Sequence, residues 1–228
     1  MPHFSIDVEK SLFCIYELMN THFGNLYWWP GDSPFEIIVG AILTQNTAWR
    51  NVEKAISNLK SQGHLSPEAI LIMNEQTLSD LIRSSGFHRV KARRLKSFVR
   101  YLYKKYDGRL EEMFTKDTNT LRDELLAVHG IGRETADSIL LYAGEKPIFV
   151  VDAYTRRILE RHGIIFESDT YSDIQTLCMH HLPRRVSLYN QYHALLVNTG
   201  KFFCKKIPQC RSCPLGILIP VQESMERV

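Results

Sequence analysis

Apolar residues recur at helical spacing through most of this chain. After Ser33 and Pro34 they fall three or four positions apart, and Ser and Pro are residues that cap and begin helices. The same spacing predicts helices over 47–60, from 66, from 75 towards 86, and over 91–106, 118–128, 135–142, 153–162 and 172–182. Only 148–151 forms a β-branched run, and it is too isolated to build a sheet. The pattern predicts an all-α protein.

The composition is that of an ordinary folded protein. The 228 residues are 44% hydrophobic and 23% charged, and the length allows one large domain or two small ones. A net charge of +3 permits nucleic-acid binding without indicating it. No apolar run approaches the ~18 residues of a membrane span, and the start lacks the pattern of a secretion signal. We therefore expect a cytoplasmic protein whose five cysteines are thiols or metal ligands.

The segment LLAVHGIGRETADSILLYA predicts two helices joined by a tight hairpin. Gly130 and Gly132 flank Ile131, the one apolar residue of the turn, which we expect to anchor it inward. The backbone amides of Gly130, Gly132 and Arg133 would then face outward at the start of the second helix, where such amides bind phosphate. Taken alone, the G-x-G pattern fits an ordinary turn between helices at least as well.

An aspartate follows about twenty residues further on, in PIFVVDAYTRRIL. Asp152 comes after apolar residues and directly before a predicted helix, which makes it a good N-cap. The start of a helix also favours the ionised form of a carboxylate. A capping role and a chemical role for Asp152 are therefore compatible.

Together these motifs resemble the helix-hairpin-helix superfamily of DNA glycosylases, and specifically its endonuclease III branch. The hairpin G-I-G-R, followed by V-V-D before another helix, is similar to the core motif of that family. Further blocks resemble the family in the same order: PFEIIVGAILTQNT, SSGFHRVKARRLKSF and YHALLVNTGKFFCKKIPQCRSCPL. The likeness spans residues 26–215, and several blocks in one order are more specific than a single motif. Asp152 matches the essential aspartate of the family.

The resemblance implies an all-α fold of two lobes with a DNA-binding cleft between them. Residues 26–145 would form a six-helix barrel with the helix-hairpin-helix at 121–142, and residues 1–25 with 146–228 would form a second helical lobe. A monomer would bind double-stranded DNA, in association with the nucleoid, and turn the target base out of the stack. Asp152 would stabilise the positive charge that develops on the sugar as the base leaves.

The resemblance also assigns residues that would hold the DNA. Gln45 matches the glutamine that the family inserts where the base has left, and Phe87 stands where it places an apolar wedge. The alternative for Gln45 is a solvent-facing amide, and the alternative for Phe87 is a core aromatic. Gly130, Gly132 and Arg133 would grip the DNA backbone. The basic residues that follow Phe87 would suit DNA or form a solvated helix face: His88, Arg89, Lys91, Arg93, Arg94, Lys96 and Arg100.

Candidate base-pocket residues follow from one departure and three aromatics. Glu134 stands where bifunctional members carry a lysine, and a carboxylate cannot form a Schiff base, so we expect no lyase activity. The segments that contain Trp28, Trp29 and Trp49, together with Glu134, resemble the 3-methyladenine glycosylase subgroup. Such a pocket has a physical reason, because an indole face attracts a positively charged alkylated purine. Buried or interface tryptophans are the alternative. Lys201 either joins this base pocket or is a solvated lysine.

Cys204, Cys210 and Cys213 form a C-x5-C-x2-C pattern. Many family members have C-x6-C-x2-C-x5-C here and bind a 4Fe–4S cluster through four thiolates. This chain has one residue fewer in the first gap, and Ile219 stands near the place of the fourth cysteine. A cluster with another fourth ligand, a zinc ion held by three thiolates and a histidine, and a metal-free loop all stay open. The hydrolysis itself would require no cofactor.

The sequence is thus most consistent with a base-excision-repair glycosylase that removes an alkylated purine of the 3-methyladenine type. Within the enzyme class, the alternative substrate is an oxidised pyrimidine or a mismatched base. Outside it, the alternatives are a non-catalytic helix-hairpin-helix module that only binds DNA or a repair partner, and a redox or metal sensor that uses the three cysteines.

Overall fold

The computed structural model describes residues 8–28 and 31–218, which form helices joined by turns and loops. This confirms the predicted all-α fold: residues 148–151 are buried and lie outside any helix, but no strand occurs in the described ranges. The chain divides into two compact units, Pro30–Lys146 and Met1–Trp29 with Pro147–Val228. No helix in the described part of the chain is long and apolar enough to cross a membrane.

The described helices follow one another with short connections. In chain order they are α1 (Val8–Phe23), α2 (Pro34–Leu43), α3 (Trp49–Ser61), α4 (Pro67–Ile72), α5 (Glu75–Leu81), α6 (His88–Tyr106), α7 (Leu110–Phe114), α8 (Thr118–Leu126), α9 (Arg133–Ser138), α10 (Ala153–Arg161), α11 (Tyr171–His181) and α12 (Val186–Phe202). A π-helical stretch, Ile139–Ala143, continues α9, and short 3-10 turns lie at Arg83–Ser85, Cys210–Ser212 and Gly216–Leu218.

Helix α2 forms the centre of the unit Pro30–Lys146. Apart from Pro34 and Ile37, every residue of α2 is buried, as expected of a helix whose sequence is apolar on nearly all sides. It packs against α3, α6, α9 and the π-helical stretch. Helix α6 is instead amphipathic: Leu95, Phe98 and Leu102 lie on its buried face at helical spacing. Two candidate DNA-contacting residues lie next to these helices: Gln45 follows the end of α2, and Phe87 directly precedes α6.

Some helix boundaries differ from the sequence prediction for local reasons. Helix α6 begins at His88 rather than 91, because Phe87 adopts a left-handed conformation with φ 45° and ends the preceding turn. Helix α7 was not predicted, since its five residues are too few to show a period. Helix α9 ends at Ser138, where the chain passes into the π-helical stretch instead of continuing as α-helix to 142.

The unit formed by Met1–Trp29 and Pro147–Val228 packs around α12. Tyr189 and Tyr192 of α12 are fully buried, and Phe149 packs edge-on against both rings, with centroids 5.4 and 5.7 Å apart. The Tyr192 hydroxyl donates to the carbonyl of Leu12 on α1 at 2.8 Å. Aromatic pairs and a satisfied buried hydroxyl hold α12 in one position. This matters because α12 packs along α10, the helix that begins after Asp152.

Candidate active site

The two glycines of the hairpin between α8 and α9 differ in backbone conformation. Ile131 is 5% exposed, which confirms the predicted inward anchor. Gly130 lies in the left-handed region with φ 87°, which favours glycine. Gly132 is extended, with φ −91° and ψ 178°, and is the N-cap of α9.

The surroundings of the two hairpin glycines differ as strongly as their backbones. A Cβ atom at Gly130 would overlap the aliphatic part of the Arg94 side chain, so the turn and α6 approach closely there. A Cβ atom at Gly132 would meet no atom within 4 Å. Gly132, Arg133 and Glu134 are all exposed. The space beside Gly132 is thus open to an approaching ligand, whereas the space beside Gly130 is filled by the protein itself.

Gln45 lies against the hairpin with its amide group engaged. Its Nε2 donates to the Gly130 carbonyl at 3.2 Å and to the Thr135 hydroxyl at 2.8 Å. The Arg94 guanidinium donates to its Oε1. The alternative of a solvent-facing amide is therefore wrong. In this structure Gln45 links the loop after α2 to both ends of the hairpin and to α6.

A buried ion pair holds the two helices of the hairpin together. Arg122 of α8 donates to both carboxylate oxygens of Asp137 on α9, at 2.6 and 3.0 Å. Asp137 is fully buried, and such a two-pronged pair fixes the mutual orientation of the helices. The sequence alone does not reveal this pair, because the two residues are fifteen positions apart and only the folded hairpin brings them together.

Phe87 stands on the surface of the unit Pro30–Lys146. Its side chain is 70% exposed, so the alternative of a core aromatic is wrong. It follows Gly86, and both residues have positive φ, 68° and 45°. A left-handed backbone at a residue with a large side chain costs free energy, and such residues are concentrated at functional sites. The position is compatible with a wedge, which stays a prediction.

The basic residues after Phe87 do not form a single DNA-facing group. Lys91 is 1% exposed, and its ammonium donates to the carbonyls of Leu43 and Ser85 at 2.7 and 2.6 Å. Lys96 is buried as well and donates to backbone carbonyls between α4 and α5. The expectation that these two lysines contact DNA is therefore wrong: both are buried and stabilise the fold by donating hydrogen bonds to backbone carbonyls. The exposed members of the group are Arg89, Arg93 and Arg100.

Asp152 caps α10 and is largely buried. Its Oδ1 accepts the Thr155 amide hydrogen at 2.7 Å, which confirms the predicted N-cap. Its Oδ2 lies 3.6 Å from Nε2 of His193 on α12, and 11% of its side chain is exposed. Burial by itself would raise the pKa of Asp152, but the interactions with His193 and with Thr155 outweigh it and lower the pKa. The group is therefore an ionised carboxylate at neutral pH.

The remaining base-pocket candidates lie in both units. Trp49 begins α3 and Trp28 precedes α2, and both are partly exposed. Trp29 lies outside the described residues. Glu134 is exposed in the first turn of α9. Lys201 is exposed near the end of α12, and its Nζ lies 5.2 Å from the centre of the Phe202 ring. Their assembly into one pocket stays a prediction.

The cysteine loop folds back on α10 through two arginines. The Nε of Arg157 donates to the Cys204 carbonyl at 2.7 Å. Arg161 donates to the carbonyls of Lys205 and Lys206 at 2.7 and 3.1 Å, and to the Cys204 sulfur at 3.2 Å. A small cavity that opens to solvent lies beside the loop and is lined by Arg161, His162, Phe203, Cys204, Pro208, Gln209, Cys210 and Cys213.

This donor set does not fit the cluster of the wider family. Cys204, Cys210 and Cys213 supply one thiol fewer than a 4Fe–4S cluster takes, and the neighbourhood of Ile219 lies outside the described residues. A guanidinium N–H already donates to Cys204. Although His162 lines the same cavity, no three histidine, cysteine or acidic side chains of the described part are placed to hold a metal ion.

The chain thus contains two features: a helix-hairpin-helix whose backbone is exposed at the start of α9, and, in the other unit, a carboxylate that caps α10. The chain matches the HhH-GPD superfamily of base excision DNA repair proteins over residues 39–184, and it belongs to that family. It is 46% identical over 208 residues to a protein of Methanocaldococcus jannaschii named as a candidate DNA repair glycosylase, which covers 90% of this chain and 94% of that one.

Solved structures agree with this assignment. The chain is similar to endonuclease III in a non-covalent complex with DNA, with a TM-score of 0.81 and 25% identity over 97% of this chain and 99% of that one. It is also similar to an H. pylori 3-methyladenine DNA glycosylase bound to 1,N6-ethenoadenine, with a TM-score of 0.74 and 28% identity over 86% and 98%. The chain is thus an endonuclease III-like DNA glycosylase of the base excision repair family.

Proposed function

We propose that this glycosylase hydrolyses the bond between a damaged base and its sugar without cutting the strand, with Asp152 as the catalytic carboxylate. The observation that carries this proposal is the geometry of Asp152: one oxygen caps α10 and the other faces His193. Both contacts lower the pKa of the carboxyl group and so favour its ionised form. A fixed anion stabilises the oxocarbenium-like charge that develops on the sugar. Its low exposure strengthens that effect, since little water screens it.

The absence of strand cleavage rests on Glu134. Lyase chemistry of this kind needs an amine that attacks the sugar and forms a Schiff base. Glu134 supplies a carboxylate at the place where the resemblance puts that lysine, in the exposed first turn of α9. The proposed product is therefore a free base together with an intact strand that carries an abasic site.

The hairpin and two neighbouring loops are the proposed DNA contacts. The backbone around Gly132 and Arg133 is exposed at the start of α9, where main-chain amides suit a phosphate group of the DNA backbone. Phe87 is the proposed wedge. Gln45 would insert where the base has left, and it would have to give up its hydrogen bonds to the hairpin to do so.

A matched pair of glycine substitutions tests the hairpin. Gly130→Ala is expected to lower the free energy of unfolding by about 1–3 kcal/mol, because its φ is 87° and its Cβ would overlap Arg94. Gly132→Ala should lower the free energy of unfolding less, by about 0.5–1 kcal/mol, because alanine is the poorer N-cap, but it should weaken DNA binding about tenfold, since its Cβ would occupy the open space. Urea denaturation and fluorescence anisotropy with duplex DNA measure both. Unchanged affinity in Gly132→Ala would contradict the proposed phosphate contact.

We propose an alkylated purine of the 3-methyladenine type as the substrate. The support is the set of tryptophans around the start of α2 and α3, together with the likeness to the H. pylori 3-methyladenine glycosylase. Aromatic faces attract a positively charged base beyond ordinary stacking. The second candidate is an oxidised pyrimidine or a mismatched base, and the greater structural likeness to endonuclease III favours it.

A panel of duplexes distinguishes these substrates and tests the proposed function. Each duplex carries one lesion: 3-methyladenine, an oxidised pyrimidine, or a mismatched base. Free base and strand breaks are measured separately, with and without borohydride. We expect free 3-methyladenine and an uncut strand. Release of the oxidised pyrimidine or the mismatched base alone would transfer the assignment to the second candidate, and a borohydride-trapped covalent complex would refute the monofunctional proposal.

We further propose that the cysteine loop folds without a metal. Purified protein should contain no stoichiometric iron or zinc by elemental analysis, and its solution should be colourless. The arginines of α10 then carry the loop. Arg161→Met is expected to lower the free energy of unfolding by about 1–3 kcal/mol. It should also speed trypsin cleavage after Lys205 and Lys206, because their carbonyls lose their hydrogen-bond donors. Arg156→Met, at an arginine that contacts a different loop, is the control. One iron cluster or zinc ion per chain would refute the proposal.

A further inference from the structure

A second titratable side chain lies against the proposed catalytic carboxylate. His193 of α12 is 5% exposed, and its Nε2 lies 3.6 Å from Oδ2 of Asp152. The other carboxylate oxygen is occupied by the amide of Thr155. Each oxygen of Asp152 is therefore faced by a different helix, the first turn of its own helix and the middle of α12.

The position of His193 is set by rigid packing on both sides of it along α12. The neighbouring Tyr192 is fully buried, and its hydroxyl donates to Leu12 at 2.8 Å. Two turns further on, Gly200 lies so close to Tyr154 of α10 that a Cβ atom would overlap the ring. The two helices are thus in direct contact, and His193 has little freedom to leave Asp152.

No arginine of α10 takes the place of His193. Arg156 turns towards the next loop and donates to the Asp169 carbonyl at 2.5 Å. Arg157 turns towards the cysteine loop and donates to the carbonyls of Cys204 and Gly200 at 2.7 and 3.2 Å. Among the described residues, the pKa of Asp152 is therefore governed by its burial, by the imidazole of His193 on α12 and by Thr155 on α10.

We propose that His193 is a positioning residue that holds the Asp152 carboxylate in its ionised form and its reactive orientation. The proposal rests on the proposed function of Asp152. At 3.6 Å the contact is longer than a hydrogen bond, so we expect it to act through the dipole of the ring and through van der Waals contact. Such interactions are strong where water is excluded. A basic partner also offsets the burial that would otherwise raise the pKa of Asp152.

His193→Phe removes the ring nitrogens and keeps a planar ring of similar size. We expect the single-turnover rate of base release at neutral pH to fall about 10–100-fold, as for other residues that orient a reactive group, while affinity for the same duplex changes less than about threefold. The acid limb of the pH–rate profile should move to higher pH, because the pKa of Asp152 loses an interaction that lowers it. His193→Gln, which keeps an N–H near Asp152, should recover most of the rate. His180→Gln, at an exposed histidine of α11, is the control.

The outcomes separate the two proposals. If Asp152→Asn abolishes base release while His193→Phe has the wild-type rate and acid limb, the role of His193 is refuted and that of Asp152 stands. If Asp152→Asn itself releases base normally, the proposed function fails. A His193→Phe protein that melts earlier but keeps its acid limb and its rate per folded molecule would assign His193 to packing alone. His193→Gln with no recovery over His193→Phe would also refute the proposal.

Discussion

Asp152→Asn is expected to lower single-turnover base release by at least about 10³-fold, while binding to the same duplex changes less than about threefold. Asparagine has nearly the shape of aspartate, and its Oδ1 still accepts the Thr155 amide hydrogen, so the start of α10 should be preserved. What disappears is the negative charge that stabilises the developing positive charge on the sugar. The effect on stability should stay within about 1 kcal/mol.

The measurement pairs free-base release with a gel-shift or anisotropy titration. The substrate is whichever lesion the wild-type protein releases in the duplex panel. Asp169→Asn is a control in the same unit, at an aspartate whose carboxylate accepts only a local turn amide among its described contacts. A variant that binds DNA and releases base at the wild-type rate would show that Asp152 is a helix cap alone. If the wild type and Asp152→Asn both bind duplex DNA and neither releases any base in the panel, the non-catalytic module is favoured.

Lys91→Met is expected to lower the free energy of unfolding by about 2–4 kcal/mol at neutral pH. Methionine fills a similar volume but leaves the buried carbonyls of Leu43 and Ser85 without the donor that Lys91 provides. Those carbonyls belong to the chain just before Gln45 and just before Phe87. The substitution should therefore also loosen two proposed DNA contacts and weaken binding to duplex DNA.

The cost of Lys91→Met should grow with pH. Burial first, and the nearby charge of Arg94 second, lower the pKa of Lys91 to about 8. In the unfolded chain a lysine keeps its proton up to about pH 10.4. Between these values the unfolded state binds more protons, so the stability of the wild type rises with pH relative to the variant, by up to about 1.4 kcal/mol per pH unit. The neutral amine still donates to both carbonyls.

Urea denaturation at pH 7 and pH 9.5 tests this sign. Lys104→Met, at an exposed lysine of the same helix, is the control and should change stability by less than about 0.5 kcal/mol at either pH. A gap between wild type and Lys91→Met that shrinks as pH rises would contradict the assigned direction. No gap at either pH would show that the two carbonyls find other donors.

The features that the sequence predicted correctly are governed by local chemistry. Ile131 as the anchor of the hairpin and Asp152 as an N-cap depend on residues a few positions away, and both are confirmed. The errors concern contacts between distant segments. A lysine on a helix next to arginines looks solvated, and nothing in the sequence shows that the carbonyls of Leu43 and Ser85 lie within reach of Lys91. His193 was missed for the same reason, because its contact with Asp152 spans 41 positions.

The missing side chain at Gly200 limits how this protein can vary. Tyr154, two positions after Asp152, fills the space that any larger residue at 200 would need. Even a methyl group there would wedge α10 and α12 apart, and the carboxylate and the imidazole would separate with them. Tolerance to substitution at position 200 is thus set by chemistry about two helical turns away. A randomised library screened for base release should return glycine at this site, although the residue has no side chain with which to take part in the reaction.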